Sequence, residues 1–133
     1  MEEVLEKLKA LAEKVPSPLT LPDEDELVTI EEQLLLPIPS DFRQYLLIAS
    51  DVVYGHVEPA IVTDSGVHNY LPEMAAMAWS YGLPRYLLPF CETTKGYYCI
   101  DPDGLILLWE DGKFSDKQWD NLWQWIAEVW LQE

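Results

Sequence analysis

The stretch from Leu87 to Trp109 constrains this chain most. It reads as three short strands, Leu87–Cys91, Tyr97–Ile100 and Leu105–Trp109, separated by two tight turns. Aromatic and branched side chains suit a pleated, half-buried surface. Gly96 and Gly104 fall where each turn calls for a residue tolerant of positive φ. Asp101-Pro102-Asp103-Gly104 is a turn with a mechanism, because Pro102 pre-sets φ and Gly104 leads into the next strand. This antiparallel meander is read as the core of the sheet. The rest of the chain must cover it.

The flanking segments supply helices. Val4, Leu8, Leu11 and Val15 form one apolar stripe, which predicts a helix from Met1 to Val15, ended by Pro16-Ser17-Pro18. Leu19 to Thr29 reads as a loop carrying the acidic run Asp23–Glu26. Thr29 and Glu32 have the spacing of a capping box, predicting a short helix to about Leu35. Ser40 is placed to cap a helix whose apolar face is Phe42, Tyr45, Leu46 and Ala49, ending near Ser50-Asp51. Two short strands are expected around Gly55 and Pro59. A helix from Pro72 to Tyr81 follows, with Gly82 just beyond it. Its stripe of Met74, Met77, Ala78 and Tyr81 suits either a core or an adaptable groove. Glu110-Asp111-Gly112-Lys113 is a turn, and Ser115-Asp116-Lys117-Gln118 has a second capping-box spacing. That predicts a last helix burying Trp119, Leu122, Trp123, Ile126 and Trp130. Trp125 falls off this stripe, either covering a loop or standing exposed as a partner anchor.

Tight-turned strands with helices grouped outside them predict an α+β fold, a central and mostly antiparallel sheet with helices packed around it. A length of 133 residues fits one domain over 1–133, with 1–28 forming the leading helix and acidic loop. Hydrophobic residues at 49% support a real core. No apolar run is long enough to span a bilayer, and the acidic N-terminus is unlike a secretory signal, so a cytoplasmic location is expected. Cys91 and Cys99 fall on neighbouring strands, as two buried thiols or a facing pair within reach of a disulfide.

The chemistry-bearing residues form no recognisable catalytic set. His56 and His68 lie near Glu58 and Asp64, but no motif joins them to a thiol or hydroxyl. The cysteines and histidines lack zinc spacing, the Asp101–Gly104 turn lacks the downstream ligands of a calcium loop, and there is no phosphate-binding glycine loop. No enzyme activity, metal or cofactor is expected. The net charge of −16, from 24 acidic and 8 basic residues, opposes nucleic acid and anionic membranes as partners and suits a basic protein.

The order of segments resembles the SUKH superfamily, which contains fungal cell-wall-assembly regulators and many bacterial immunity proteins. The resemblance rests on Ile30-Glu31-Glu32-Gln33-Leu34 with Leu36-Pro37-Ile38-Pro39, on the following segment Ser40–Leu46, and on the meander with Leu87–Phe90, Gly96–Asp101, Gly104 and Trp109. Many members carry an Asn-Gly turn after the second of these helices, where this chain reads Ala49–Gly55. The resemblance implies a non-enzymatic binding module, foremost an immunity protein that neutralises a toxin domain. The acidity suggests that the toxin is basic and acts on nucleic acid. The alternative it implies is a regulatory scaffold that binds a cellular signalling protein. Loops flanking the sheet are the expected carriers of binding. The candidates are Asp51, Glu58 and Asp64 before the meander, Asp101, Asp103, Glu110 and Asp111 around it, and Trp125.

Overall fold

A computed structural model describes residues 1–132. Four helices precede the sheet: α1 (Glu2–Leu11), α2 (Glu24–Leu34), α3 (Ser40–Ala49) and α4 (Leu71–Ser80). The strands are β1 (Leu88–Glu92), β2 (Gly96–Ile100), β3 (Ile106–Glu110) and β4 (Lys113–Trp119). Helix α5 (Leu122–Glu128) and a short 3-10 turn, Trp130–Gln132, follow. The sheet is antiparallel with order β1-β2-β3-β4, so the fold is α+β with one domain.

The acidic run starts α2; it is not a loop. Asp23 is the N-cap: its Oδ1 accepts from the Glu26 N–H at 2.8 Å, and Glu26 Oε1 accepts from the Asp23 N–H at 3.2 Å. Carboxylates in a first turn also favour the positive end of the helix dipole. The expected cap, Thr29, lies inside the helix and donates its hydroxyl to Asp25 O. From the same helix Glu31 locks the proline-rich connector. Its carboxylate accepts from the Ile38 N–H at 2.7 Å and from Arg43 Nη1 at 3.0 Å, while Arg43 Nη2 bonds Glu24 at 2.6 Å. The hydrogen bond to Glu24 leads the interactions that raise the Arg43 pKa. Pro39, not Ser40, holds the N-cap position of α3. Phe42, Tyr45, Leu46 and Ala49 form its buried face, as the spacing predicts.

Two elements are shorter than their patterns. Helix α1 stops at Leu11 because Ala12 turns extended and the Glu13 N–H donates to Val53 O at 2.7 Å. The expected strands around Gly55 and Pro59 reduce to isolated bridges, Tyr54 with Val57 and Ile61 with Tyr70. This segment still protects an edge of the sheet, since the Ala60 N–H donates to Phe90 O at 2.7 Å.

The largest correction follows β3. Asp111 and Gly112 both have positive φ, 53° and 76°. That is the signature of a type I′ turn, whose twist suits a two-residue hairpin. The chain therefore turns back into a fourth strand where the capping-box spacing predicts a helix. Ser115 does not cap; its hydroxyl accepts locally from the Lys117 N–H. The helix begins six residues later, capped by Asn121, whose Oδ1 accepts from the Gln124 N–H at 2.9 Å. Leu122, Trp123, Ile126 and Trp130 are buried as the stripe predicts, and Trp125 is buried with them. Trp125 is 0% exposed, its ring edge-on to Phe90 at 4.8 Å and to Tyr98 at 5.1 Å. It is therefore a core residue, and the expectation of an exposed anchor is overturned by burial. Trp119 ends β4 half-buried, against Tyr98.

Gly96 also differs from expectation. Its φ is not positive; it is required because a Cβ there would lie 2.0 Å from Trp109 O. Gly104 does have positive φ, 94°. The two cysteines are buried, not joined by a disulfide and out of register: Cys91 pairs across the ladder with Tyr98, and Cys99 with Pro89.

Three outcomes follow. Trp125→Ala should destabilise the protein by about 3–5 kcal/mol, and Trp119→Ala by clearly less because its ring is partly solvated already. Equal shifts in urea midpoint would contradict this placement. Gly96→Ala should cost about 1–3 kcal/mol as an overpacking change, read in the same assay. Burial, then Asp101, pushes the Cys99 thiol up to about 12 from 9.0. Its contribution to stability is complete below 9.0 and is lost as pH rises toward 12. Near pH 8 both thiols should stay silent to an aromatic disulfide reagent until denaturant is added, and prompt native reaction would refute the burial.

Candidate functional site

The site is built where two hairpin turns meet. The β1–β2 connection, Thr93-Thr94-Lys95, and the β3–β4 turn lie at the same end of the sheet, joined by the Asp111 N–H donating to Lys95 O at 3.0 Å. Thr93 organises this end. Its hydroxyl donates to Glu110 Oε2 at 3.0 Å and accepts from the N–H groups of Gly96 and Lys95. The missing side chain of Gly96 lets β2 and β3 close here, which sets Tyr97 opposite Trp109. Their rings lie 6.5 Å apart at an interplanar angle of 22°. Pleating sends Tyr98 to the other face, where it is partly buried against Trp125.

Helix α4 forms the second wall. Met74 and Ala78 of its stripe are buried, whereas Met77 is 49% and Tyr81 62% exposed. The stripe is thus half core and half surface. Gly82, at φ 110°, ends the helix beside the Trp109 ring. Between α4 and the turns lies a hollow of about 360 Å³ lined by Tyr81, Glu92, Lys95, Tyr97, Trp109 and Asp111, among others. A second hollow of about 210 Å³ adjoins it, lined by His68, Glu73 and Met77 and sharing Tyr81, Glu92 and Tyr97. Together they make one groove with aromatic walls and a carboxylate rim. Burial, then Glu92 and Tyr81, raises the Tyr97 pKa, so its phenol is neutral at ordinary pH.

Of the acids proposed from sequence, Glu110 and Asp111 belong to this end of the sheet. Glu58 reaches the groove through His68, whose Nε2 lies 3.2 Å from Glu58 Oε2. Asp64 accepts from the Gly66 N–H at 2.8 Å in the loop leading to His68. Asp51 lies elsewhere, beside Lys9 and Ala12. Asp101 and Asp103 sit in the β2–β3 turn at the opposite end of the meander, where Asp101 Oδ1 accepts from the N–H groups of Asp103 and Leu105. The eight residues therefore do not form one surface. Glu73, Tyr81, Glu92 and Tyr97 were not singled out for binding. The sequence signal for Glu92 was its place beside the Thr93–Gly96 turn, and for Tyr81 its place in the methionine stripe.

The arrangement suits recognition better than covalent chemistry. The Cys99 thiol is held protonated far above neutral pH. Among the described residues no group of three or more His, Cys, Asp or Glu side chains is placed to hold a metal ion, and no helix is long and apolar enough to cross a membrane.

Comparison with known proteins agrees with the fold. The chain is 50% identical to a protein from Pseudomonas syringae pv. tomato of known crystal structure, over 100% of both chains, with a TM-score of 0.96. No curated protein matches it significantly. The family model SUKH_5, described as SMI1-KNR4 cell-wall, matches residues 1–131. With the helix–connector–helix segment, the meander and the closing helix all in place, the chain belongs to the SMI1-KNR4 (SUKH) family, whose membership supports a protein-binding module of the immunity type.

Proposed function

We propose that this protein is a non-enzymatic immunity protein that captures a basic toxin domain in the groove between α4 and the Thr93–Lys95 and Asp111–Gly112 turns. The observation that carries the reading is a hollow at one end of the sheet whose floor is the buried rings of Tyr97 and Trp109, flanked by the exposed Tyr81 and by the carboxylates Glu73, Glu92 and Asp111. A net charge of −16 steers a basic partner toward this surface and repels polyanions. A toxin domain that acts on nucleic acid carries a basic cleft, and an acidic cover blocks it. The two turns of the groove are tied to each other by the Asp111 N–H to Lys95 O bond and braced by Thr93, so its side chains are held in place before the partner arrives.

Rim charges act mainly on association and buried ring contacts on dissociation. The test uses the purified chain and a basic toxin domain chosen from among those encoded near genes of this family. Association should slow as the Debye length falls from about 10 Å at 0.1 M salt to about 3 Å at 1 M. Glu73→Gln, Glu92→Gln and Asp111→Asn combined should slow it further and flatten its salt dependence. Asparagine keeps the left-handed turn at position 111, so the hairpin survives. Asp101→Asn with Asp103→Asn, at the other end of the sheet, should change the rate less. Undiminished capture and toxin protection by the triple variant would refute the groove as the binding face. Salt-indifferent capture would reduce the acidity to a solubility feature.

A further inference from the structure

The larger hollow of the groove has the chemistry of a receptor for one particular side chain. Tyr97 is only 4% exposed, yet it lines both hollows. Among the described residues its hydroxyl has no hydrogen-bond partner, and a neutral phenol that deep can both accept and donate. Glu92 and Asp111 line the same space, outnumbering its one cation, Lys95, and among the described residues none of the three is in an ion pair. The rings of Tyr81 and Trp109 supply flat apolar walls. Beyond Gly112 the entrance is open, since a Cβ added there would meet nothing within 4 Å.

We propose that this hollow binds an arginine side chain of the partner protein, with the guanidinium against the aromatic wall, its N–H groups shared between Glu92 and Asp111, and the Tyr97 hydroxyl accepting from inside. This rests on the reading of the groove as the binding face and specifies its anchor. A guanidinium fits because it is planar, offers five donors in a fixed fork, and is less strongly hydrated than an ammonium. Stacking and charge then act together, whereas lysine supplies a point charge that keeps its water. The protein already uses this pairing once: Arg85 places its guanidinium carbon 3.7 Å above the Trp79 ring. Arginine is also among the residues that dominate binding energy at protein interfaces.

The test is a titration of the ¹⁵N-labelled full chain with N-acetyl-arginine amide, with the lysine and citrulline analogues in parallel. Citrulline keeps the shape and loses the charge. Arginine should move the amides of Gly96, Tyr97, Asp111 and Gly112 and the Trp109 indole, lysine should move them less, and citrulline hardly at all. Glu92→Gln, Asp111→Asn and Tyr97→Phe should each weaken the arginine response several-fold. The phenylalanine variant loses only a hydroxyl without a partner, so an unchanged amide spectrum elsewhere reports an intact fold. The assignment is overturned if arginine and citrulline act alike, if the three variants respond as the parent does, or if shifts spread equally over the Asp23–Glu26 run. Failure here beside salt-dependent capture of the toxin domain would remove the arginine anchor and leave the binding face standing. Undiminished capture by the triple rim variant would overturn the binding face and, with it, the partner's arginine, even beside a local response to free arginine.

Discussion

An interlocked seam of aromatic rings holds this fold together. Trp125 stands edge-on to Phe90 and Tyr98, Tyr98 meets Trp119, Phe90 meets Phe42, and Tyr45 packs against Phe42, Trp123 and Trp130. These rings join α3, β1, β2, β4 and the C-terminal helices, elements separated by up to eighty residues of chain. The indole N–H groups of Trp123 and Trp125 are buried without an acceptor among the described residues. Each orphan donor costs about 1–3 kcal/mol. Burying 150–250 Å² of ring at about 25 cal/mol/Å² contributes roughly 4–6 kcal/mol, so packing wins over the unmade hydrogen bond. Trp130 avoids the conflict, donating to Tyr54 O at 3.0 Å.

The same seam explains why a surface is left over. Adjacent residues of a strand point to opposite faces. Tyr98 is drawn into the seam, so Tyr97 must face away from it, toward Trp109 and the end of α4. The core packing of one tyrosine thus places its neighbour in the groove. Gly96 adds the second constraint, because any side chain there would strike the Trp109 carbonyl and push β2 from β3.

How far the sequence was legible depended on how local each signal was. The three strands of the meander, helix α3 with its buried face and the helix before Gly82 were readable because period and turn chemistry agreed. The fourth strand was not, although Asp111-Gly112 is a strong hairpin signal. Ser115 to Gln118 imitates a helix start, and only pairing with β3 decides between them. Trp123 and Trp130 are buried as expected all the same, while Trp119 falls in the strand and Trp125, off the stripe, is buried because Phe90 and Tyr98 cover that side of the short helix too. At the other end, a run of carboxylates read as a solvated loop became the reciprocal cap of α2. The groove itself was hardly legible, because it joins a helix end to two turns that only the folded sheet brings together.

Charge shows the same dependence on placement. Asp23 and Glu26 cap a helix, Glu24 and Glu31 hold Arg43, Asp64 and Asp101 brace turns, and Glu110 takes the Thr93 hydroxyl. These carboxylates serve the fold, and a partner gains little from an acid whose lone pairs are already engaged. Glu73, Glu92 and Asp111 make no side-chain hydrogen bond or ion pair among the described residues, and all three line the hollows beside Tyr81 and Tyr97. An acid left without an internal partner keeps its full attraction for a cation arriving from outside. The net charge of −16 is spread over the whole chain; what sets these three carboxylates apart is the pair of adjoining hollows they line beside Tyr81 and Tyr97.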